Sequence, residues 1–330
     1  MKTAVIALTA GAQTLAGILA SSLDECTLSC PQGGVAAEIG RLWQEVDGLI
    51  CIMAAGIVVR SIAPLCRDKK TDPCVVVLDE KGEFVISLLS GHLGGGNALA
   101  RKIAGITGGR PVITTASDVT GHTALDLWVE KNNLTAANPE RLTSLSARLI
   151  NEGTLSVFLD QAMAGLPADF RRQEKSEDAD IVISPFYPVR YKQLLLIPRN
   201  LIIGFGCNRG TTSAEFESAL DDLCSTHRID PRAIAGFASI DLKSDEEGLL
   251  AFAGKMQRPI MFFSKDELNT VTGVTVSEVA LRITGAQGVA EPAAVLAASS
   301  EDGSGRLLVR KRKWKNVTAA VAAQKIVLKG

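Results

Sequence analysis

Three short stretches hold most of the residues able to do chemistry. In SLLSGHLGGGNALA (87–100), His92 is one of only three histidines and is followed by Gly94, Gly95 and Gly96. Imidazole exchanges a proton near neutral pH. Glycines let backbone amides approach a ligand, and a helix N-terminus welcomes an anion. Two phosphate cradles are excluded by spacing. A Walker loop needs Lys and then Ser or Thr after its last glycine, where Asn97 stands, and Gly-x-x-Gly-Gly-Gly is not the dinucleotide fingerprint. A tight strand-to-helix corner flanked by Ser90 and Asn97 accounts for the glycines equally well.

GIVVRSIAPLCRDKKTDPCVVVLDEKG (56–82) places Arg60 in an apolar helical run, where an unpaired guanidinium is costly to bury. Lys69 lies in a charged turn before Pro73. Asp79 and Glu80 end a strand, where ligand-facing residues gather in open α/β sheets; a plain Asp-Glu-Lys-Gly turn is the rival reading. VITTASDVTG (112–121) brings Thr114, Thr115, Ser117 and Asp118 to another strand end, although Asp118 could instead cap the next helix. GFGCNRGTT (204–212) sets Arg209 between a strand and a helix with glycine spacing one residue too long for a nucleotide loop.

The elements that must position these residues follow from apolar periodicity. KTAVIAL, GLICIMA, CVVVLDE, EFVISLLS and PVITTA read as strands between helical patterns, the mark of a sheet covered on both faces. A second such unit begins at LIIGFGCNRGTT, with RAIAGFASI and RPIMFF as strands. Thr212 with Glu215, Ser244 with Glu247, Ser264 with Glu267 and Thr275 with Glu278 fit the capping-box spacing. Between the units, Asn138 and Pro139 suit a helix start, and the charged RRQEKSEDAD separates two strands. The expected fold is therefore α/β and multi-domain, with open, mostly parallel sheets covered by helices in both the N-terminal and C-terminal domains. The expected boundaries are 1–132, a middle module 133–200, and 201–330.

Bulk composition narrows the class. A formal charge of −1 over 330 residues carries no overall nucleic-acid signature. The basic RLLVRKRKWK (306–315) suits a lysine-protected edge strand or a docking surface for a polycarboxylate or RNA. Seven scattered cysteines without a CxxC pair argue against a disulfide framework or structural zinc, so no metal site is expected. The start is read as strand, turn and helix rather than a signal peptide. No run is apolar enough to span a membrane. A cytoplasmic protein is expected.

The runs GIVVRSIAP, DPCVVVLDEKGEFVISLLSGHLGGGNALA and PVITTASD resemble the cobalt-precorrin-5A hydrolases of anaerobic cobalamin biosynthesis. GFGCNRGTT, FASIDLKSDEEGL and GVAEPAAVLAAS are similar to the carboxyl-terminal domain of that family. The likeness covers roughly 1–130 and 200–325, with Gly96 standing where the family is expected to carry alanine. It implies a tetrapyrrole substrate with a ring A lactone, which water opens before a two-carbon fragment leaves as acetaldehyde. Cobalt would arrive within the substrate, so no cofactor of the protein's own is implied.

On this resemblance His92 is the expected base, with Glu80, Asp118 and Asp79 as alternatives or as groups that orient it. Amides of Gly94, Gly95 and Gly96 would hold an oxyanion or carboxylate, beside Ser90, Asn97, Thr114 and Thr115. Arg60, Lys69 and Arg209 would clamp acetate and propionate arms. His122 and His227 match no motif and are read as structural. Partners would be the substrate, other corrinoid-pathway enzymes and a second copy in a homodimer, with neither nucleic acid nor membrane. A non-catalytic corrinoid carrier is the main rival; nucleotide-binding and RNA-binding readings rest on the glycine loops and the basic strand alone.

Overall fold

The computed structural model describes residues 1–31, 33–68, 71–92, 94–161, 163–187, 192–299 and 305–330. The chain forms two compact units, Met1–Leu127 and Trp128–Gly330.

In the first unit the elements are β1 (Thr3–Ala7), α1 (Ala10–Ser22), β2 (Cys26–Ser29), α2 (Val35–Leu42), β3 (Gly48–Ile52) and α3 (Ala55–Ile62), followed by β4 (Cys74–Leu78), β5 (Phe84–Leu89), α4 (Gly96–Thr107), β6 (Arg110–Val112) and α5 (Ala116–Thr120). The boundary falls inside α6 (Leu125–Lys131). Strand order is β2-β1-β3-β4-β5-β6. Every residue of β1, β3 and β4 is buried, which is why those strands read as unbroken apolar runs. Val5 and Ala7 pack with Ala12, Ala16 and Leu19 of α1 and Leu99 and Ile103 of α4. Ala4 and Ile6 face the other way, toward Ile39 and Leu42 of α2 and Val58 and Ile62 of α3. The period-two alternation thus feeds one apolar layer on each side of the sheet.

One strand breaks the parallel pattern. β5 runs antiparallel to β4, with Val75 opposite Leu89 and Leu78 opposite Val85, and β6 then pairs parallel to β5. Loops following β1, β3 and β4 consequently emerge at one edge of the sheet. Those following β5 and β6 emerge at the other.

The second unit contains β7 (Leu134–Ala136), α7 (Glu140–Glu152), β8 (Leu155–Leu159), β9 (Met163–Ala164), β10 (Phe170–Gln173), β11 (Ile181–Ile183) and β12 (Leu194–Pro198). It continues with β13 (Leu201–Cys207), α8 (Ser213–His227), β14 (Ile234–Ile240), α9 (Glu247–Lys255), β15 (Ile260–Phe263), α10 (Lys265–Asn269) and α11 (Glu278–Thr284), then α12 (Ala290–Ala298), β16 (Arg306–Lys313), β17 (Val317–Ala323) and β18 (Ile326–Val327). One sheet is β10-β8-β11-β12-β7 and another β15-β14-β13-β17-β16, while β18 and β9 pair separately. Val182, Leu195 and Ile197 from the first of these share a core with Phe205, Phe216, Phe237 and Phe252 of the other. The residues 133–200 therefore build their own sheet and pack onto the one that follows.

Several local expectations are corrected. Asn138 does not cap α7; its Nδ2 donates to Gln193 O at 2.8 Å and its Oδ1 accepts from Leu195 N at 3.0 Å, fastening the turn before α7 to the start of β12. Capping boxes form at Thr212–Glu215 and Ser264–Glu267. Glu246 stands at the N-cap of α9 and Ser277 at that of α11. Thr275 is held elsewhere, by Glu291, which accepts from its amide at 2.7 Å and its hydroxyl at 2.9 Å. The charged run after Phe170 begins as edge strand β10, whose solvent-facing arginines hide its period.

On the opposite face of β13, α12 approaches so closely that a Cβ at Gly204 would lie 2.0 Å from Ala290 O. Neither backbone can yield. Gly204→Ala is expected to lower unfolding free energy by about 2–3 kcal/mol, read from a urea denaturation midpoint. An unchanged midpoint would contradict this packing.

Candidate active site

The reversed direction of β5 places His92 beside the start of α5. Its Nε2 lies 3.0 Å from Asp118 Oδ2 and 3.1 Å from Ser117 Oγ, and its Nδ1 lies 3.8 Å from Asp126 Oδ1. The imidazole thus has a carboxylate toward each nitrogen. Asp118 is the meeting point of three other side chains. Its Oδ2 also accepts from Asn97 Nδ2 at 2.8 Å and its Oδ1 accepts from Arg101 Nη2 at 2.5 Å. Asn97 Nδ2 further donates to Thr115 Oγ1 at 3.0 Å. Burial alone would raise the Asp118 pKa, but the hydrogen bonds from Arg101 and His92 outweigh it and hold the carboxyl below its ordinary value.

These groups border an open cleft of 330 Å³, lined among others by His92, Asn97, Arg101, Ser117, Asp118 and His122. His122, expected to be structural, belongs to this wall. Arg101 is 52% exposed, so guanidinium N–H groups beyond the Asp118 bond reach solvent. It lies one helical turn after Asn97, a spacing that puts both on one face of α4.

The glycines shape the loop rather than line it with free donors. Gly95 N donates to His92 O at 2.9 Å, Gly96 N to Ser90 O at 3.2 Å and Asn97 N to Gly91 O at 2.8 Å. These bonds use the amides of Gly95 and Gly96 that sequence reading assigned to an anion. A Cβ at Gly94 would fall 2.5 Å from Ser90 Cβ, and Gly95 has φ +81°. Ser90 itself takes φ 49°, an uncommon left-handed conformation for a side-chain-bearing residue.

Asp79 and Glu80 lie at the opposite sheet edge, on the order of 15 Å away along β4. Asp79 accepts from Lys81 N at 2.9 Å, Glu83 N at 3.3 Å and Phe84 N at 2.7 Å, and so is committed to the turn. Burial opposes its ionisation, but these amide bonds prevail and its pKa is lowered. Glu80 accepts a hydrogen bond from Thr9 Oγ1. Both acids border a separate crevice of 520 Å³, floored by Ile52, Met53, Val77 and Leu78. Arg60 is exposed on α3 and Thr114 is exposed after β6; neither borders either space. Lys69 lies outside the described residues.

In the second unit Arg209 is engaged by Asp245 at 2.5 Å and by Leu242 O at 2.7 Å. Glu246, 4% exposed, accepts from Gly210 N at 2.7 Å and from Lys243 Nζ at 3.2 Å. The GFGCNRGTT and SDEEG stretches are thereby latched to each other. Among the described residues, no group of three or more His, Cys, Asp or Glu side chains is placed to hold a metal ion, and no helix is long and apolar enough to cross a membrane.

A carboxyl whose folded-state pKa is depressed stabilises the fold above its unfolded pKa, and that contribution is lost as pH falls through the folded value. Asp118→Asn should therefore cost roughly 1–2 kcal/mol at pH 7, with the gap from the parent narrowing as urea titrations are moved down through the acidic range. A gap independent of pH would contradict the charged role of Asp118.

Two family models match the chain, Cobalamin synthesis G N-terminal over residues 37–118 and Cobalamin synthesis G C-terminus over residues 201–322. The cobalt-precorrin-5A hydrolase of Priestia megaterium is 36% identical over 310 residues, covering 88% of this chain and 82% of that protein. Its counterpart in Salmonella typhimurium is 34% identical over 252 residues, 72% of this chain and 71% of that one. A solved structure of a cobalamin biosynthesis protein G homolog from Sulfolobus solfataricus aligns with TM-score 0.40 and 21% identity over 98% of this chain and 97% of that chain. With both family models matched in order and relatives of this identity aligned over most of its length, the chain belongs to the cobalamin synthesis G family.

Proposed function

We propose that the chain is a cobalt-precorrin-5A hydrolase, which opens the ring A lactone of a ring-contracted cobalt corrinoid and releases acetaldehyde. The observation that carries this reading is the alignment with hydrolases of that name across most of the chain. The His92 cleft offers groups for its chemistry. Lactone opening adds the elements of water across the acyl C–O bond and needs a proton acceptor. His92, with Asp118 beside Nε2 and Asp126 facing Nδ1, is suited to that role. The freed hydroxyl then loses its proton. Its oxygen forms the aldehyde C=O as the C–C bond breaks, and the conjugated macrocycle takes the electron pair and a proton.

Arg101, half-exposed at the cleft, is suited to a carboxylate arm of the substrate. Glu80 and Asp79 stand apart from this cleft and are left out of the chemistry. The protein brings no cofactor of its own to these steps, since the metal travels in the substrate, and it works in the cytoplasm on a soluble intermediate.

Purified protein incubated with the lactone should release one acetaldehyde per corrinoid, followed by NADH loss in an alcohol dehydrogenase coupled assay. His92→Ala should slow release about 10²–10⁴-fold. Corrinoid that binds stoichiometrically and returns unchanged would support the carrier reading and overturn the hydrolase.

A further inference from the structure

Either water or a hydroxyl of the protein can be the first group to attack the lactone carbonyl. Water is the simplest choice, but the cleft already holds a hydroxyl in place. Ser117 is 7% exposed, yet it borders the cleft, and its Oγ is 3.1 Å from His92 Nε2. On the far side of the same ring, Nδ1 faces Asp126 Oδ1 at 3.8 Å. A hydroxyl at one imidazole nitrogen and a carboxylate toward the other is the arrangement that activates a serine nucleophile, whatever the order of the residues in the chain. The 3.8 Å separation exceeds a hydrogen bond, and such contacts commonly shorten when substrate binds.

Asp118 shares the Nε2 side and must be reconciled with this. Its two oxygens also receive donors from Arg101 and Asn97. In the tautomer that carries its proton on Nδ1, toward Asp126, Nε2 is the acceptor for the Ser117 hydroxyl; in the other it donates to Asp118. Once Nε2 carries the Ser117 proton, Asp118 Oδ2 at 3.0 Å is in place to receive it as a hydrogen bond.

We propose that Ser117 is the nucleophile, activated by His92 with Asp126 as a positioning residue, so that lactone opening passes through an acyl-serine; this rests on the hydrolase reading. Ser117 Oγ adds to the carbonyl as His92 Nε2 takes its proton. The acyl C–O bond of the lactone breaks, and the departing oxygen takes the proton back from His92. Water then attacks the ester carbonyl, His92 again accepting a proton and returning it to Ser117 as the C–O bond to serine breaks. No oxidant or reductant is needed.

Ser117→Ala in the full chain, supplied with the cobalt corrinoid lactone, should release acetaldehyde at least about 10³-fold more slowly while still binding corrinoid. Rapid acid quench of the parent followed by mass spectrometry should find the corrinoid adduct on the peptide containing Ser117. Asp126→Asn should lower kcat while leaving KM close to the parent's, the split expected of a residue that positions the imidazole without touching substrate. Should the alanine variant not fold, Ser117→Cys carries the test through a thioester adduct on the same peptide. Release by Ser117→Ala within threefold of the parent, or turnover by Ser117→Cys with no adduct at any quench time, overturns the nucleophile and leaves the hydrolase standing. Absence of acetaldehyde from the parent protein overturns the hydrolase itself.

Discussion

One carboxylate holds the cleft together. Asp118 gathers His92 from the loop after β5, Asn97 from the first turn of α4, and Arg101 one turn further on. Arg101 is cationic, His92 carries an imidazole, and Asn97 is a neutral amide whose Nδ2 donates to both Asp118 and Thr115. The cleft is thus organised by charge and hydrogen bonding at its rim, while its walls rest on the apolar layer beneath α4. Leu99, Ala100 and Ile103 of that helix are buried against the sheet, so the polar face that carries Asn97 and Arg101 has a fixed orientation.

The direction of a single strand decides which residues can meet. Because β5 returns antiparallel, His92 is carried to the edge away from Asp79 and Glu80, and the parallel β6 then brings Thr115, Ser117 and Asp118 to that same edge. The first edge keeps a crevice of its own across the ends of β3, β4 and β5, reaching Leu8 and Thr9 after β1, beside the point between β1 and β3 where strand order reverses. Such reversals commonly receive ligands in α/β sheets. In this protein the acids there are engaged in a turn and with Thr9.

Much of this frame was legible in the residues, because burial on both faces writes itself as continuous apolar strands: TAVIA, GLICI and CVVVL are buried throughout. The pairing of His92 with Asp118 was legible as two candidates in separate motifs, though their contact was not. The polarity of β5 escaped a pattern-based reading, since alternation marks a strand without giving its direction. A usable signal existed in the short connection from Leu78 to Phe84, too brief for a parallel crossover. Ser117 was legible as a strand-end hydroxyl, though not its contact with His92, while Arg101 and Asp126 gained meaning only from three-dimensional convergence. The glycines invited an anion-binding interpretation, yet packing against Ser90 and Leu89 O explains their small size. In the second unit, motifs that suggested ligand loops serve largely as internal latches, with the buried carboxylates of Glu246 and Glu291 accepting backbone amides from distant segments.

The most direct test of the account is a structure of the protein with the cobalt corrinoid lactone bound, using His92→Ala to prevent turnover. The ring A lactone carbonyl is expected in the cleft bordered by Ser117, Asp118 and Arg101. A lactone seated instead in the crevice beside Thr9 and Glu80, at the opposite edge of the sheet, would contradict it.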